Sequence, residues 1–516
     1  MLTDPLIVQA RTRPHDIAVS HAGVELDYST LLGRAHAFAR LLSSHGIGPK
    51  DRVALTMPKG LEALVALVGV SLTGSAFVPC DPGVPPQRLI RVLQDCDPKA
   101  IVSTTTLVDR IHQVDKNLLT TFALVVTDAP CLLPNAKQHD FTSVSNGMAG
   151  HRPMSDDLPA YLLYTSGSTG EPKGVVHSHR SASSFVNWAI RTFGVEPGSR
   201  LTNCAQWSFD LSVFDLWATL SSGARVELVP AECMLRPQEF VQNLHAWQIT
   251  HLYAVPSTFS LLESDGGLHN HPLPHLTHAL YAGEPFGVSR LRSVMKCLPR
   301  VRFHNLFGPT ETNVCTHHEI PSIPDENTTQ IPVGKACDHL TVELLDETGQ
   351  PAGPEVEGEI CVAGPSVLTE YFRRPNETRN AFFDAAHFPD ARPRYRTGDR
   401  ASLDTNGLFW FHGRRDRLVK RRGYRIELGE IETAIGLDST VLEAAAFSVR
   451  SGQDTRVHVA VALNKGASQT PLALKVHCSK FLPRYMMPDS ILILDQLPRT
   501  PNGKVDLQRL ADPSAV

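Results

Sequence analysis

The sequence lacks the patterns that mark several large classes of protein. No two of its ten cysteines form a C-x-x-C pair, and its 23 histidines contain no H-E-x-x-H motif. These absences argue against a zinc ribbon and a disulfide scaffold, so the cysteines are expected to be small buried hydrophobic residues. A metal ion held entirely by protein side chains is not expected. No repeat of about 20 to 50 residues is visible, which argues against a solenoid, and the G-x-S-x-G elbow of many hydrolases is missing.

An excess of charge and a long hydrophobic run are missing as well. The chain has 49 basic and 53 acidic residues, a net charge of −4, so neither a nucleic-acid nor a membrane partner is expected. The most apolar stretch, roughly 61–73, is too short to span a bilayer and contains Glu62, which predicts a buried helix. The first residues, MLTDPLIVQARTRPHD, carry no signal-peptide pattern. We therefore expect a cytoplasmic location.

What is present is typical of a folded α/β protein. With 516 residues, 42% of them hydrophobic and 20% charged, the chain is long enough for about three structural units. Apolar runs of strand length alternate with longer amphipathic segments, as in 51–57, 61–73 and 76–79. This alternation predicts layers of helices and sheets.

Two segments interrupt this alternation. Residues 136–158 are rich in Ser, Gly, Asp and His and are predicted to be an exposed connection. A cluster of basic residues at 413–424 is followed by a further alternating region. We place the main boundary at Arg415–Arg417, which gives domains 1–415 and 416–516.

A glycine-rich loop follows the apolar run 160–164. Its sequence, Thr165-Ser-Gly-Ser-Thr-Gly-Glu-Pro-Lys-Gly174, can turn several N–H groups toward one anion, and Lys173 adds a positive charge. The spacing is not that of a Walker A loop, and a strand follows instead of a helix. Taken alone, the loop is more typical of a flexible surface hairpin.

The loop does not stand alone. YTSGSTGEPKGVVHSH closely resembles the signature loop of the adenylate-forming superfamily, which contains acyl-CoA synthetases, luciferases and adenylation domains of nonribosomal peptide synthetases. Four more motifs follow in that family's order: NLFGPTET at 305–312, YRTGD at 395–399, GRRD leading into KRRGYRIE at 413–427, and NGK at 502–504. The resemblance covers nearly the whole chain. It implies a large N-terminal domain of layered α/β subdomains with a β-barrel-like part, and a small mobile α+β C-terminal domain.

The resemblance also implies a reaction, in which a carboxylate attacks the α-phosphorus of ATP to give an acyl-adenylate and pyrophosphate. Two anions must meet, so the protein has to neutralise and align charge. ATP and Mg²⁺ are the implied cofactors. The positions matched to the nucleotide are Thr165, Ser166, Gly167, Ser168, Thr169, Gly170, Lys173, Gly283, Glu284, Asn305, Phe307, Gly308, Asp399 and Arg414.

Several of these positions carry an implied role. Thr310 and Glu311 are expected beside the α-phosphate, with Glu311 as the ligand of Mg²⁺. Phe307 is expected to stack on adenine. Asp399 is expected to accept hydrogen bonds from the ribose hydroxyls, with Arg414 supporting ribose and phosphate. Each of these roles has a purely structural alternative: Glu311 could cap a helix, Asp399 could be a turn residue, and Arg414 could be a solvated surface arginine.

The C-terminal domain carries two further implied residues. Lys504 is expected to bridge the substrate carboxylate and the ATP phosphate, although a lysine on a Pro-Asn-Gly turn is otherwise a solvated loop charge. Asp416 is expected to be the hinge about which this domain rotates between adenylation and thioester formation.

The segment 207–215, WSFDLSVFD, resembles the motif that opens the acyl pocket of peptide synthetases. Asp210 matches the partner of an α-ammonium group, which predicts an amino acid and disfavours a fatty acid. The matched pocket positions are Asp210, Leu211, Phe214, Ala254 or Tyr253 (the register is open), Leu280, Ala282, Leu306, Val314, Cys315 and Lys504. Such an apolar pocket favours a compact aliphatic amino acid. The lining resembles that of stand-alone L-prolyl ligases, so L-proline is predicted, ahead of valine, threonine or another small residue.

The acceptor is expected to be the phosphopantetheine thiol of a separate carrier protein, since no G-G-x-S site or condensation motif occurs in the sequence. Free CoA is the competing acceptor, and an acyl-CoA synthetase is the competing enzyme, because it shares every ATP motif. A binding module without catalysis would be expected to have lost Lys504 or Glu311.

Overall fold

The computed structural model describes residues 1–130, 137–141, 154–165, 172–353, 355–414, 418–451, 454–499 and 505–511. Some of the predicted site residues lie outside these ranges. They are Ser166, Gly167, Ser168, Thr169, Gly170, Asp416 and Lys504.

Helices and strands alternate along much of the chain. The helices are α1 (Asp4–Thr12), α2 (Tyr28–Ser44), α3 (Leu61–Leu72), α4 (Pro86–Cys96), α5 (Thr105–Val114), α6 (His179–Phe193), α7 (Leu211–Val213), α8 (Thr219–Ser222), α9 (Pro237–Ala246), α10 (Pro256–Ser264), α11 (Val288–Cys297), α12 (Pro375–Asn380), α13 (Leu428–Gly436), α14 (Pro471–Cys478) and α15 (Leu507–Ala511). A π-helical turn, Phe214–Ala218, separates α7 from α8. No helix in the described part of the chain combines the length and apolarity needed to cross a bilayer.

The strands are β1 (Ile17–His21), β2 (Val24–Asp27), β3 (Arg52–Thr56), β4 (Ala76–Pro79), β5 (Ala100–Ser103), β6 (Leu124–Thr127), β7 (Gln138–Asp140), β8 (Pro159–Thr165), β9 (Lys173–Ser178), β10 (Arg200–Asn203), β11 (Arg225–Leu228), β12 (His251–Ala254), β13 (His278–Tyr281), β14 (Arg302–Phe307), β15 (Thr316–Ile320), β16 (Lys335–Ala336), β17 (Thr341–Leu345), β18 (Gly358–Ala363), β19 (Glu370–Tyr371), β20 (Phe382–Phe383), β21 (Arg394–Leu403), β22 (Phe409–Arg414), β23 (Leu418–Arg421), β24 (Tyr424–Glu427), β25 (Val441–Ser451), β26 (Asp454–Leu463) and β27 (Ser490–Leu494).

The chain divides into two compact units. The first comprises Met1–Pro82, Cys96–Leu163 and Gly174–Arg415, and the second comprises Gly83–Asp95, Tyr164–Lys173 and Asp416–Val516. The domain boundary expected from the sequence, Arg415–Arg417, lies outside the described residues. The sequence pattern did not indicate that most of α4 belongs with the second unit.

Three sheets build the first unit, which is the α/β architecture that the alternating pattern predicts. One has the order β16-β15-β14-β13-β12-β10-β11-β1-β2, another has the order β19-β9-β8-β4-β3-β5-β6-β7, and β17-β18-β21-β20 with β22 form the third. Helix α3 is buried along its length, as its apolar sequence predicts. The stretch 136–158, predicted to be an exposed connection, contains the half-buried edge strand β7, because β7 pairs with β6.

In the second unit, β25, β26 and β27 form a three-stranded sheet and β23 pairs with β24. Helices α13 and α14 contribute buried residues to a core that the sheet shares. Representative members of this core are Ile431, Val459, Leu474 and Ile491, all at most 5% exposed. This mixed helix and sheet content agrees with the α+β C-terminal domain implied by the resemblance.

Candidate active site

The site residues of the first unit follow the carboxyl ends of parallel strands. Strands β10, β12, β13 and β14 run parallel to one another in one sheet. Their carboxyl ends therefore meet at one edge, the usual place for a ligand site in an α/β sheet. The segments that leave this edge carry Asp210, Gly283 and Glu311, all predicted from the sequence.

Glu311 lies in a tight turn after β14. The turn requires a glycine at its start, because a Cβ atom on Gly308 would lie 1.7 Å from the carbonyl oxygen of Asn313. Glu311 is only 1% exposed, so it is not the surface capping residue that an isolated Pro-Thr-Glu turn would suggest. Its backbone oxygen accepts a hydrogen bond from the N–H of Leu368 at 2.7 Å.

Two side chains from other elements hold this turn. Tyr371 in β19 donates a hydrogen bond to Glu311 Oε1 at 2.8 Å. His177 in β9 bonds through Nε2 to the carbonyl oxygen of Thr310 at 2.9 Å, so Nε2 carries the proton. Burial lowers the pKa of His177 to about 4, which keeps the imidazole neutral at neutral pH. Hydrogen bonds therefore hold both the backbone of the turn, at Thr310, and the carboxylate of Glu311.

Asp399 and Arg414 form a buried ion pair. They lie opposite each other in the β21–β22 ladder, and Arg414 Nη1 is 2.7 Å from Asp399 Oδ1. Asp399 is completely buried, and the Arg414 side chain is 8% exposed. Arg414 Nη2 also donates to the carbonyl oxygen of Thr397 at 3.0 Å. Asp399 is thus neither a turn residue nor a surface residue, and Arg414 is not a solvated arginine.

The predicted pocket residues gather in one apolar cluster of the first unit, with one exception. The members of the cluster are Leu211, Phe214, Tyr253, Leu280, Ala282, Leu306, Val314 and Cys315. Each of them is at most 8% exposed. Phe214 meets Tyr253 edge-to-face, with 5.5 Å between the ring centroids.

The exception is Ala254. Tyr253 pairs with Leu280 across the parallel strands and shares its face, whereas Ala254 pairs with Tyr281 on the other face. Ala254 accordingly packs in a different core cluster, together with Tyr281. The period of two along a strand makes the choice, so of the two positions left open by the sequence, Tyr253 faces the pocket.

Asp210 stands at the start of α7, but its side chain makes no capping hydrogen bond to that helix. It is half-buried. Its charge is one of the causes, after desolvation by burial, that raise the pKa of the Tyr253 hydroxyl, so the carboxylate lies near the apolar cluster. Asp210 therefore does not cap α7 with its side chain.

The other predicted nucleotide residues of the first unit have defined partners. Glu284 accepts a hydrogen bond from the backbone N–H of Ser257 at 2.7 Å and so caps α10. Asn305 donates to the carbonyl oxygen of Pro332 at 2.9 Å. Phe307 is 7% exposed, and its ring lies 5.6 Å from that of Phe411. In the second unit, Thr165 ends β8, and Lys173, at that unit's border, begins β9.

Two family models match the chain. The model for "AMP-binding enzyme" matches residues 6–372, which is more than half of the chain. The model for "AMP-binding enzyme C-terminal domain" matches residues 430–504.

The chain belongs to the AMP-binding enzyme family.

Curated relatives of this AMP-binding enzyme cover nearly its full length. An "L-proline--[L-prolyl-carrier protein] ligase" of Pseudomonas fluorescens is 35% identical over 498 residues, 96% of either chain. A protein with the same name from Streptomyces coelicolor is 35% identical over 512 residues, 96% of this chain and 95% of the relative. Among solved structures, the Vibrio cholerae adenylation domain AlmE, in complex with glycyl-adenosine-5'-phosphate, is similar with a TM-score of 0.86. At 22% identity, over 99% of this chain and 97% of AlmE, that likeness shows the fold.

The residues that hold the Glu311 turn could not be predicted from the sequence. Tyr371 lies 60 residues after Glu311, and His177 lies 133 residues before Thr310. A lone tyrosine or histidine in an apolar strand has no distinguishing pattern. The only available signal was that His177 lies within the quoted motif, two residues before its end. Pairing of β19 with β9 brings Tyr371 into place.

Proposed function

We propose that this enzyme activates a small amino acid, L-proline foremost, with ATP and transfers it to the phosphopantetheine thiol of a separate carrier protein. In the first step, a carboxylate oxygen of the amino acid attacks the α-phosphorus of ATP, and pyrophosphate leaves. In the second step, the carrier thiol attacks the carbonyl carbon of the aminoacyl-adenylate. A thioester forms, AMP leaves, and the thiol proton is released.

The observation that carries the proposal is that the carboxylate of Asp210 lies near the buried apolar cluster that contains Phe214, Tyr253 and Leu280. A carboxylate at the edge of buried apolar side chains needs a cation beside it, and the α-ammonium of an amino acid supplies one. A fatty acid carries no cation to offer this carboxylate. Phe214, Leu280 and Leu306 offer no hydrogen bond to a polar side chain, and Tyr253 is the one hydroxyl among these neighbours. A compact side chain such as the proline ring suits this lining.

ATP binding is assigned to the residues around the Glu311 turn and the buried Asp399–Arg414 pair. The Glu311 carboxylate is a hard oxygen donor of the kind that Mg²⁺ prefers, and this ion keeps several water and phosphate ligands besides one carboxylate. Bound Mg²⁺ would neutralise charge on the phosphates. Asp399 would accept from the ribose hydroxyls, and Lys173 would hold outgoing phosphate. Lys504 would bridge the two reacting anions.

The names of the curated relatives support proline as the amino acid and a carrier protein as the acceptor. Both relatives at 35% identity are called L-prolyl-carrier protein ligases. Valine and threonine are the alternatives for the amino acid, and free CoA is the alternative acceptor.

A pyrophosphate-exchange assay with a panel of amino acids tests the substrate. L-Proline is expected to give the highest kcat/KM, and an amino acid preferred more than about tenfold over proline would contradict the choice. Asp210→Ala is expected to abolish exchange with every amino acid. If that variant kept full activity, or if only a fatty or aryl acid supported exchange, the chain would be an acyl-CoA synthetase.

The acceptor is tested separately, by following radiolabelled amino acid onto a phosphopantetheinylated carrier protein or onto CoA. Transfer to the carrier is expected, and its unmodified form, which lacks the thiol, is the control. Faster turnover with CoA than with any carrier offered would contradict the proposal.

A further inference from the structure

The loop that leads to Asp210 is bound to one buried lysine through three consecutive carbonyl groups. Lys59 Nζ donates to the backbone oxygens of Asn203 at 3.1 Å, Cys204 at 2.9 Å and Ala205 at 3.4 Å. An ammonium group has three N–H donors, and all three are used here. Lys59 comes from the connection between β3 and α3, a different sheet from that of the loop. It therefore fixes the course of the chain just after β10.

The same loop is tied to the helix beyond Asp210 by Asn203. The Asn203 side chain donates to Asp215 Oδ2 at 3.0 Å, and its oxygen accepts from Trp207 Nε1 at 2.8 Å. Asn203 and Asp215 are completely buried, and Trp207 is 7% exposed. One amide thus joins the end of β10, the middle of the loop and the residue five positions after Asp210.

Asp215 lies in the π-helical turn Phe214–Ala218. Such widened turns occur often at functional sites, because the extra residue re-aims the neighbouring side chains. Here Phe214 packs against Tyr253 in the pocket, while the next residue, Asp215, accepts the hydrogen bond from Asn203. Asp215 and Asp210 both act on the hydroxyl of Tyr253, since each raises its pKa after the larger effect of desolvation. Asp215 is therefore close to the amino-acid pocket.

The carboxyl group of Asp215 is stabilised less completely than its burial requires. Within the described residues, Oδ1 has no hydrogen-bond partner, and the charge of Lys59 acts on the carboxyl group more weakly than the desolvation does. Burial raises the pKa of Asp215 well above its ordinary value. A buried oxygen without a partner lowers stability by about 1 to 3 kcal/mol. An apolar residue would avoid that loss, which points to a role other than stability.

We propose that Asp215 is a positioning residue for the amino-acid site. Through Asn203 it fixes the loop 204–209, together with Lys59, so that the carboxylate of Asp210 meets the α-ammonium group. Asp215 touches no substrate itself. The inference rests on the proposed function, because it takes Asp210 as the partner of that ammonium.

Substitution of Asp215 tests the proposal in the pyrophosphate-exchange assay, with the amino acid and ATP varied separately. Asp215→Ala is expected to raise the KM of the amino acid about tenfold, the effect of losing one buried hydrogen bond, and to leave the KM of ATP within about twofold. Asp215→Asn keeps the shape and an acceptor oxygen, so the KM of the amino acid should return to within about threefold of the wild-type value.

Two further variants show whether the effect passes through Asn203. Asn203→Ala is expected to raise the same KM, and the double variant with Asp215→Ala should raise it no further than the larger single change. Trp207→Phe removes the N–H that Asn203 accepts together with part of the buried ring system, and it should raise the KM of the amino acid about threefold.

A matched control separates positioning from stability. Tyr28 is completely buried, and its hydroxyl donates to the carbonyl oxygen of Ala224 at 2.7 Å, just beyond α8. Tyr28→Phe should lower the melting temperature and leave both KM values unchanged. The inference is wrong if Asp215→Ala behaves like this control, if it raises the KM of ATP equally, or if Trp207→Phe has no effect on the KM of the amino acid.

Asp210→Ala, measured in parallel, distinguishes this inference from the proposed function. If Asp210→Ala leaves the KM of the amino acid unchanged, the ammonium assignment fails, and the inference fails with it. If Asp210→Ala abolishes exchange while Asp215→Ala has wild-type values, only the role of Asp215 is wrong.

Discussion

The hydroxyl of Tyr371 donates a hydrogen bond to Glu311 Oε1 at 2.8 Å, across 60 residues of sequence. The same hydroxyl lies 3.2 Å from that of Tyr395. All three side chains are buried, Glu311 at 1%, Tyr371 at 8% and Tyr395 at 3% exposure. Partners outside the ligand set commonly orient a metal-binding carboxylate, and in the proposed Mg²⁺ site Tyr371 would do so for Glu311.

Tyr371→Phe is therefore expected to weaken the response to Mg²⁺. Without the hydroxyl, the carboxylate of Glu311 loses its fixed orientation, and the half-saturating Mg²⁺ concentration should rise about tenfold, the lower end for changes outside the ligand set. Pyrophosphate exchange over a range of Mg²⁺ at constant ATP measures this shift, and Mg²⁺-dependent protection of the protein from thermal unfolding by ATP provides a second reading.

Tyr281→Phe is the matched control for this change. Tyr281 is 1% exposed, and its hydroxyl has no partner among the described residues. Its side chain packs in the cluster on the other face of the sheet from the pocket. This variant should show the wild-type Mg²⁺ dependence. An unchanged dependence in Tyr371→Phe as well would show that this hydroxyl does not orient a Mg²⁺ ligand.

Arg414→Leu is expected to destabilise the first unit strongly. It leaves Asp399 completely buried without the guanidinium 2.7 Å away, and breaking a buried pair from one side costs about 3 to 5 kcal/mol. Urea unfolding measures the loss. Adding Asp399→Asn removes the isolated charge, so the double variant should recover part of the stability without regaining ATP binding. A loss below about 1 kcal/mol would indicate that the pair behaves as an exposed one.

Stability is expected to fall as the solution becomes acidic, because of a stack of histidine rings on one face of the largest sheet. The rings of His251 and His278 lie 4.6 Å apart, those of His278 and His304 5.5 Å, and those of His304 and His317 5.3 Å. Burial lowers the pKa of His278 and His317 to about 4 and that of His304 to about 3. Neighbouring histidines lower the pKa of His278 and His304 further.

The direction of the pH dependence follows from the pKa values of these histidines in the folded and unfolded chains. In the unfolded chain these histidines titrate near pH 6.5, so below that pH the unfolded chain binds protons that the folded chain excludes. Their contribution is fully present above about pH 6.5 and is lost progressively toward pH 4. The nearby Arg302–Glu319 pair, at 2.7 Å, does not offset this, because Arg302 lowers the pKa of His304 while Glu319 raises it.

Urea unfolding at about pH 7.5, 6.5 and 5.5 measures the slope. His304→Phe keeps the ring volume beside Phe193, whose ring centroid is 5.2 Å away, and removes one titrating group. The variant should lose less stability between these pH values than the wild type. Equal slopes would mean that His304 is not held neutral by the fold.

Lys504→Ala is expected to reduce adenylation by orders of magnitude, since one electrostatic stabiliser is commonly worth ~3–4 kcal/mol at the transition state. Lys465, an exposed lysine of the same unit, is the control, and Lys465→Ala should retain wild-type exchange. An unchanged exchange rate in Lys504→Ala would overturn the prediction.

Asp416→Pro should preserve pyrophosphate exchange and impair transfer of the amino acid to the carrier protein, because Asp416 is predicted to be the hinge between the two steps. Equal loss of both steps would contradict the hinge.

The sequence predicted the parts of the molecule that local pattern controls. The alternation of apolar runs gave strands such as β4 at its exact bounds, Ala76–Pro79, and the buried helix α3. The ordered motifs gave the family, which the family models confirm.

The tertiary structure decided the contacts between distant strands and the face of the sheet on which each side chain lies. Whether Tyr253 or Ala254 faces the pocket follows from the register of β12 against β13, which a single sequence does not contain. The bonds from Tyr371 to Glu311 and from Asn203 to Asp215 depend on strand pairing and on a π-helical turn. A motif records residues that are neighbours in the chain, whereas orientation of a carboxylate depends on side chains that only folding brings within 3 Å.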